Sequence, residues 1–252
     1  MSGHSKWSTI KRQKGANDAR RGALFTKLSR EIITAARQGG GDPEANYRLR
    51  MAVDKAKANS MPADNIKRAI ERATGAGADA EQFEEITYEG IGPANVAVII
   101  AAMTDNRNRT ASEVRSAFTK SGGSLSPVAW QFEPKGVITI SLNGRDPDEV
   151  TLAAIDAGAA DVGAPEGGAL QITTEPADLE AVRTALAAAG YEAESAELSM
   201  EPTTTVEITE EKQARAVLQF LERLEDLDDV QNVYANFDIP AELMERLEAQ
   251  VV

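Results

Sequence analysis

Eight cations, Lys6, Lys11, Arg12, Lys14, Arg20, Arg21, Lys27 and Arg30, stand within the first thirty residues against a single acid, Asp18. Side chains of these types at this spacing do no covalent chemistry. Together they can neutralise a run of phosphates. From Asn17 or Asp18 onward the pattern turns helical. Arg20, Lys27, Arg30 and Arg37 then share an arc of about 100° beside the apolar stripe, while Arg21 points toward that stripe. A helix of this kind buries one face and displays a basic one, which suits it to lie along a nucleic-acid backbone. The alternative is a solvated or disordered basic arm.

A second constellation is the segment Thr104–Thr110, which joins a strand to a helix and contains Asn106, Arg107, Asn108 and Arg109. Arginines at a helix N-terminus are opposed by the macrodipole. One reading places an anion, held by the arginines and the free helix amides, between them. The other pairs Arg107 and Arg109 with Asp105 and Glu113 to fix the loop.

The remaining candidates for chemistry are few. His4 is the only histidine and there is no cysteine, so neither a His-dependent nucleophile nor a His/Cys zinc site is expected. The glycine runs at 39–41 and 90–92 lack the strand–loop–helix setting and the lysine of a phosphate-binding loop. Glu222, Glu225, Asp226, Asp228 and Asp229 lack the spacing of a calcium loop and read as a solvated acidic face. We expect a protein that is not an enzyme and needs no cofactor or metal.

The elements that position these residues can be read from periodicity. Leu24, Phe25, Leu28, Ile32, Ala35 and Ala36 line the first helix, which Gly39-Gly40-Gly41 stops. Asp42-Pro43 is expected to open a second helix and Pro62 a third. That makes a basic helical bundle over 1–78. Strands at 86–89 and 96–104 and a helix from about Asn108 to Lys120, with Thr110…Glu113 as a capping box, begin an α/β domain. A strand is also expected at 128–132. Between residues 135 and 201 the order β-α-β-β-α-β is that of a ferredoxin-like split. Strand 204–208, helix 210–224 and strand 230–237 are read as completing the earlier sheet. The fold class is therefore α+β: a helical bundle over 1–78, an α/β domain over 79–134 plus 202–240, an acidic ferredoxin-like unit over 135–201 inserted into it, and a helical tail over 241–252. A tandem third domain is the competing arrangement.

Charge follows the same division. Residues 1–75 hold 16 Lys/Arg against 7 Asp/Glu, whereas the rest of the 252-residue chain holds 11 against 33. Such sorting calls for a polyanionic partner of the first domain. The acidic remainder is expected to turn that domain toward the polyanion by repulsion rather than fold back on it, since no acidic face shows spacing complementary to the basic stripe. The longest apolar run, Val96–Met103, is too short for the roughly 20 residues of a membrane span. With no apolar leader after Met1, a cytoplasmic location is expected. Nothing in the pattern fixes an oligomeric state; a monomer is the default.

Several motifs resemble those of one family. Gly3-His4-Ser5-Lys6-Trp7, Ile10-Lys11, Asp18-Ala19, Arg21-Gly22 and Phe25-Thr26-Lys27-Leu28 are similar to the opening of the YebC/PmpR family. Met61-Pro62, Asp64-Asn65-Ile66, Tyr88-Glu89-Gly90, Thr104–Thr110 and Asp226–Tyr234 are similar to its later signatures. The resemblance implies a helical first domain and two α/β domains, the last inserted into the second. It also implies a regulator of gene expression, either a transcriptional regulator bound to promoter DNA or a ribosome-associated factor bound to ribosomal RNA. An acidic protein–protein scaffold is a third reading of the residues. The chain departs from the family at Ser126-Pro127, where a longer Gly/Ser-rich stretch is usual, and at Ala160, where an acid is usual.

Overall fold

The computed structural model describes residues 18–75 and 83–249, with side chains described for 21–75 and 83–247. Helix α1 (Asp18–Gly39) is followed by α2 (Tyr47–Ala58) and α3 (Ala63–Thr74). Their apolar faces meet in a core of their own that includes Leu28, Ile32, Ala35, Leu49, Val53, Ile66 and Ala69. Leu24, expected inside, is exposed at the edge. Asp42-Pro43 forms a turn instead of opening α2. The cap is Asn46, whose Oδ1 accepts from Leu49 N at 3.1 Å while its Nδ2 donates to Ala35 O and Gly40 O, each at 2.8 Å. A buried asparagine that satisfies one orphan helix amide and two carbonyls outcompetes an exposed proline turn.

The first sheet is built from β1 (Glu84–Ile91), β2 (Ala97–Thr104), β3 (Ser124–Leu125) and β9 (Val230–Ala235), in the order β3-β1-β2-β9. The β1–β2 hairpin pairs Glu84 with Thr104 and Ile91 with Ala97. Helices α4 (Arg107–Lys120) and α7 (Glu211–Glu225) cover it, and Phe118 meets Phe220 edge-on with ring centroids 5.0 Å apart. This contact explains the glycines of the hairpin. A Cβ on Gly90 would overlap the Phe118 ring, and one on Gly92 the Phe220 ring. The C-terminal helix α8 (Ala241–Ala249) buries Leu243, Met244 and Leu247 in the same core, so it is an integral element and not a tail.

Two expectations for this domain are corrected. Residues 128–132 form a short 3-10 turn, Ala129–Gln131, leading into β4 (Phe132–Ser141), because Glu89 Oε2 accepts from both Val128 N and Ala129 N at 2.7 Å and bends the chain. Strand β8 (Val206–Glu207) does not join the four-stranded sheet. It pairs in parallel with β10 (Phe237–Asp238), and only β9 completes the sheet, against β2.

Residues 133–201 form a separate compact unit. In it β4, α5 (Pro147–Asp156), β5 (Asp161–Val162), β6 (Ala169–Thr174), α6 (Leu179–Ala188) and β7 (Ser195–Pro202) give the strand order β5-β6-β4-β7. That is the ferredoxin-like split. Alternation along β6 buries Leu170, Ile172 and Thr174, and Val150, Ala154, Val182 and Leu186 of the helices are also buried. The first sheet, opening on a β-β hairpin, has a different order while sharing the two-layer construction.

Candidate nucleic-acid interface

Of the cations proposed to meet phosphate, Lys6, Lys11, Arg12 and Lys14 lie outside the described residues, and so does the side chain of Arg20 in the first turn of α1. Arg21 is exposed, with its guanidinium 5.5 Å above the Phe25 ring, which accounts for its leaning to the apolar side. Arg37 is half-buried near the C-terminus of α1, where a cation complements the helix dipole.

Lys27 and Arg30 are turned toward the sheet domain. Lys27 Nζ donates to Glu225 O at 2.5 Å, at the carbonyl end of α7. Arg30 Nη1 donates to Asp228 O at 2.5 Å and to Asp229 Oδ1 at 2.9 Å, and its guanidinium lies 5.4 Å over the Phe83 ring. The acidic turn at 225–229 therefore does lie against part of the basic stripe, contrary to the expectation from spacing. The carbonyl end of α7 carries partial negative charge that linear spacing of acids does not reveal. Arg48 adds to the seam, donating to Gln38 Oε1 at 2.5 Å and pairing with Glu85.

Asp229 is the centre of this arrangement. It was expected on a solvated acidic face, yet its side chain is only 1% exposed. Its Oδ2 accepts from Thr110 Oγ1 at 2.7 Å, Arg109 Nη2 at 2.7 Å and Thr104 Oγ1 at 3.0 Å, while Oδ1 accepts from Arg30. A bulge in the β2–β9 pairing between Ala101 and Ala102 precedes the bond from Met103 N to Asp229 O at 2.8 Å, which fixes the aspartate beside the end of β2. A buried carboxylate with so many donors is fully paired. Burial alone raises its pKa, but the hydrogen bonds from Arg109, Thr110 and Thr104 and the charge of Arg30 together hold it below the ordinary carboxylate value.

Asn106, not a Thr110…Glu113 box, caps α4: its Oδ1 accepts from Arg109 N at 3.1 Å, and its own N–H donates to Thr104 Oγ1 at 2.9 Å. Thr110 is buried and turned to Asp229. Arg109 binds Asp105 at 2.8 Å as well as Asp229, and these hydrogen bonds raise its pKa further above the ordinary arginine value. Arg107 is exposed and lies 3.6 Å from Glu84. Asn108 is exposed. Two arginines at a helix start signalled an anion, and the anion on Arg109 is a carboxylate of the same chain. Sequence reasoning placed Asp229 on a solvated face and Thr110 in a capping box, and gave Thr104 no role of its own. The usable signal was the pair of threonines flanking the arginines at a strand end, which calls for an acceptor from elsewhere.

Among the described residues no cluster of His, Cys, Asp or Glu is arranged to hold a metal ion, and no helix is long and apolar enough to cross a membrane. These features define a class of protein: a basic helical bundle with its own core, tied by a polar seam to a sheet domain into whose sequence a ferredoxin-like unit is inserted. The chain belongs to the TACO1/YebC family. Residues 5–76 match the model described as the TACO1/YebC protein N-terminal domain, and residues 83–237 the model of the second and third domain. A relative from Rubrobacter xylanophilus named "Probable transcriptional regulatory protein" is 55% identical over 97% of this chain and 98% of its own. One of the same name from Moorella thermoacetica is 54% identical over 98% of this chain and 100% of its own. A crystal structure of a conserved hypothetical protein from Aquifex aeolicus is similar at a TM-score of 0.81 and 47% identity, covering 88% of this chain and 92% of that one.

Proposed function

We propose that the chain is a non-catalytic, cytoplasmic regulator of gene expression that binds nucleic acid, promoter DNA in the first instance, through its N-terminal domain. One observation carries this reading: the first 75 residues concentrate 16 of the 27 Lys/Arg in a chain whose remainder is strongly acidic. The names of the relatives support the regulatory role. The phosphate contacts are assigned to Lys6, Lys11, Arg12, Lys14, Arg20 and Arg21, with Arg37 at the far end of α1. Such contacts position a protein on a backbone without reading bases, so the sequence preference they give is weak.

Salt-dependent binding to a short fluorescent duplex tests the proposal. About six engaged phosphates give a slope of log K against log salt of about −5. Replacing Lys11, Arg12, Lys14, Arg20 and Arg21 by Glu abolishes binding and leaves the circular dichroism spectrum unchanged. Unchanged affinity in that variant refutes the assignment. Sedimentation of the wild type with ribosomes through moderate salt, without duplex binding, moves the partner from DNA to ribosomal RNA.

A further inference from the structure

Two cations of α1 donate hydrogen bonds across to the sheet domain, to groups whose chemistry a phosphodiester reproduces. Lys27 and Arg30 meet two main-chain carbonyls, Glu225 O and Asp228 O, and one carboxylate oxygen, Asp229 Oδ1. All three are oxygen acceptors carrying full or partial negative charge, as are the non-bridging oxygens of a nucleic-acid backbone. We infer that Lys27 and Arg30 are a second phosphate-binding pair masked by the acidic turn at 225–229, so that docking of the helical bundle on the sheet domain and binding of a nucleic-acid backbone compete for the same two side chains.

Three observations make the contact exchangeable. First, Asp229 does not depend on Arg30 for charge compensation. Arg109, Thr104 and Thr110 all bind Oδ2 and remain in place when Arg30 leaves, and only Oδ1, then open to water, changes partner. Breaking a buried pair is costly when it strands a charge, and here the second arginine prevents that. Second, the bundle and the sheet domain have separate apolar cores, so opening the seam uncovers the contact of Phe83 with the bundle core and leaves each core with its own apolar residues. Third, polar contacts cross the seam, Lys27 to Glu225, Arg30 to Asp228 and Asp229, and Arg48 to Glu85, beside the apolar contact of Phe83 beneath Arg30. Polar interfaces between domains are the ones that open.

The inference rests on the proposed nucleic-acid binding and adds its regulation: the free protein holds part of its basic face closed, and a polyanion must displace an internal mimic to use it. The full-length chain and the fluorescent duplex test it. With the pair engaged, about eight phosphates are neutralised and the wild-type slope steepens from about −5 to about −7. The double variant Lys27→Ala, Arg30→Ala then loses about two from the slope and binds about tenfold more weakly at low salt. Asp229→Asn, which weakens the mask while keeping the shape, binds about three- to tenfold more tightly than wild type. Carbodiimide labelling of the wild type keeps the idea testable if Asp229→Asn folds poorly: Asp229, unreactive in the free protein, becomes labelled when duplex saturates the chain. Wild-type affinity and slope in the Lys27/Arg30 variant, or an Asp229 that stays unlabelled under saturating duplex, overturn the inference while leaving the N-terminal contacts intact. Absence of duplex binding by the wild type overturns the functional proposal itself.

Discussion

The sheet domain and the inserted unit are both four-stranded sheets covered by helices, and they treat polar groups in opposite ways. Beside the first sheet, Thr104, Thr110, Asp229 and Asn236 are buried and hydrogen-bonded. In the inserted unit the fully buried residues are apolar apart from Thr174, whose Oγ1 donates to Glu175 O at 2.9 Å. Its 13 acids against 2 basic residues between 136 and 201 stay at the surface or half-buried. An apolar core is non-directional and needs only shape, so the inserted unit folds around its own pattern. A buried carboxylate needs donors in fixed directions, and the sheet domain recruits them from β2, α4 and the helical bundle. Directional burial joins domains, and apolar burial builds them.

The sharpest way to break this contrast is to remove the buried carboxylate. Asp229→Ala leaves Arg109, Thr104 and Thr110 without their acceptor, and we expect a loss of about 4 kcal/mol in denaturant unfolding followed in the sheet domain. If the loss is below about 1 kcal/mol, Asp229 is not the hub. The matching change in the inserted unit is Leu170→Ala, which opens a cavity at a fully buried site and costs about 3 kcal/mol. Hydrogen exchange should quicken within 133–201 and leave 104–110 protected. Exchange that quickens equally in both regions would show them to be one cooperative unit.

Acid acts on the sheet domain through Asp229. Asp229 has a folded pKa below its unfolded value, so its contribution is complete at neutral pH and above the ordinary carboxylate value. It is lost as pH falls through the lowered folded pKa. Acid unfolding should therefore register at Arg30 and Arg109 chemical shifts in wild type, and Asp229→Asn should flatten that part of the profile. Smaller effects complete the series. Asn46→Ala removes a helix cap and two carbonyl contacts in the bundle, at a cost of about 2 kcal/mol measured by thermal unfolding. Arg107→Ala breaks only an exposed pair with Glu84, each side chain more than half exposed. It should change stability by no more than about 0.5 kcal/mol, in contrast to its neighbour Arg109.

Much of the architecture was written in local pattern. The three bundle helices, the β1–β2 hairpin, helix α4 and the whole β-α-β-β-α-β order of residues 133–201 follow from apolar periodicity and from stop residues such as Gly39 and Pro62. These signals act over four to eight residues, within reach of a sequence reading. The family was equally legible, because its motifs are contiguous. Where the structure differs, a hydrogen-bond partner that periodicity does not register competed, nearby for Asn46 and far along the chain for the other two. Asn46 displaced Asp42 as the cap of α2 through Ala35 and Gly40, Glu89 bent residues 128–129 away from a strand, and Phe237 drew β8 out of the main sheet.

The sequence by itself determined the sorting of charge, the types and order of the elements, and the apolar faces that become cores, since each depends on neighbours in the chain. Only the tertiary structure decided what the cations face. Lys27 and Arg30 sit on α1 among residues that all read as phosphate ligands, and Asp229 lies in a run of acids that reads as solvated. Nothing local distinguishes these three from their neighbours. The distinction arises when α1 meets the end of α7 across nearly two hundred residues of chain, where carbonyls and a buried carboxylate supply oxygen acceptors that no spacing rule contains. Charge is a property of composition, but the partner of a charge is a property of the fold, because Coulomb and hydrogen-bond energies depend on distance and burial, which only packing sets.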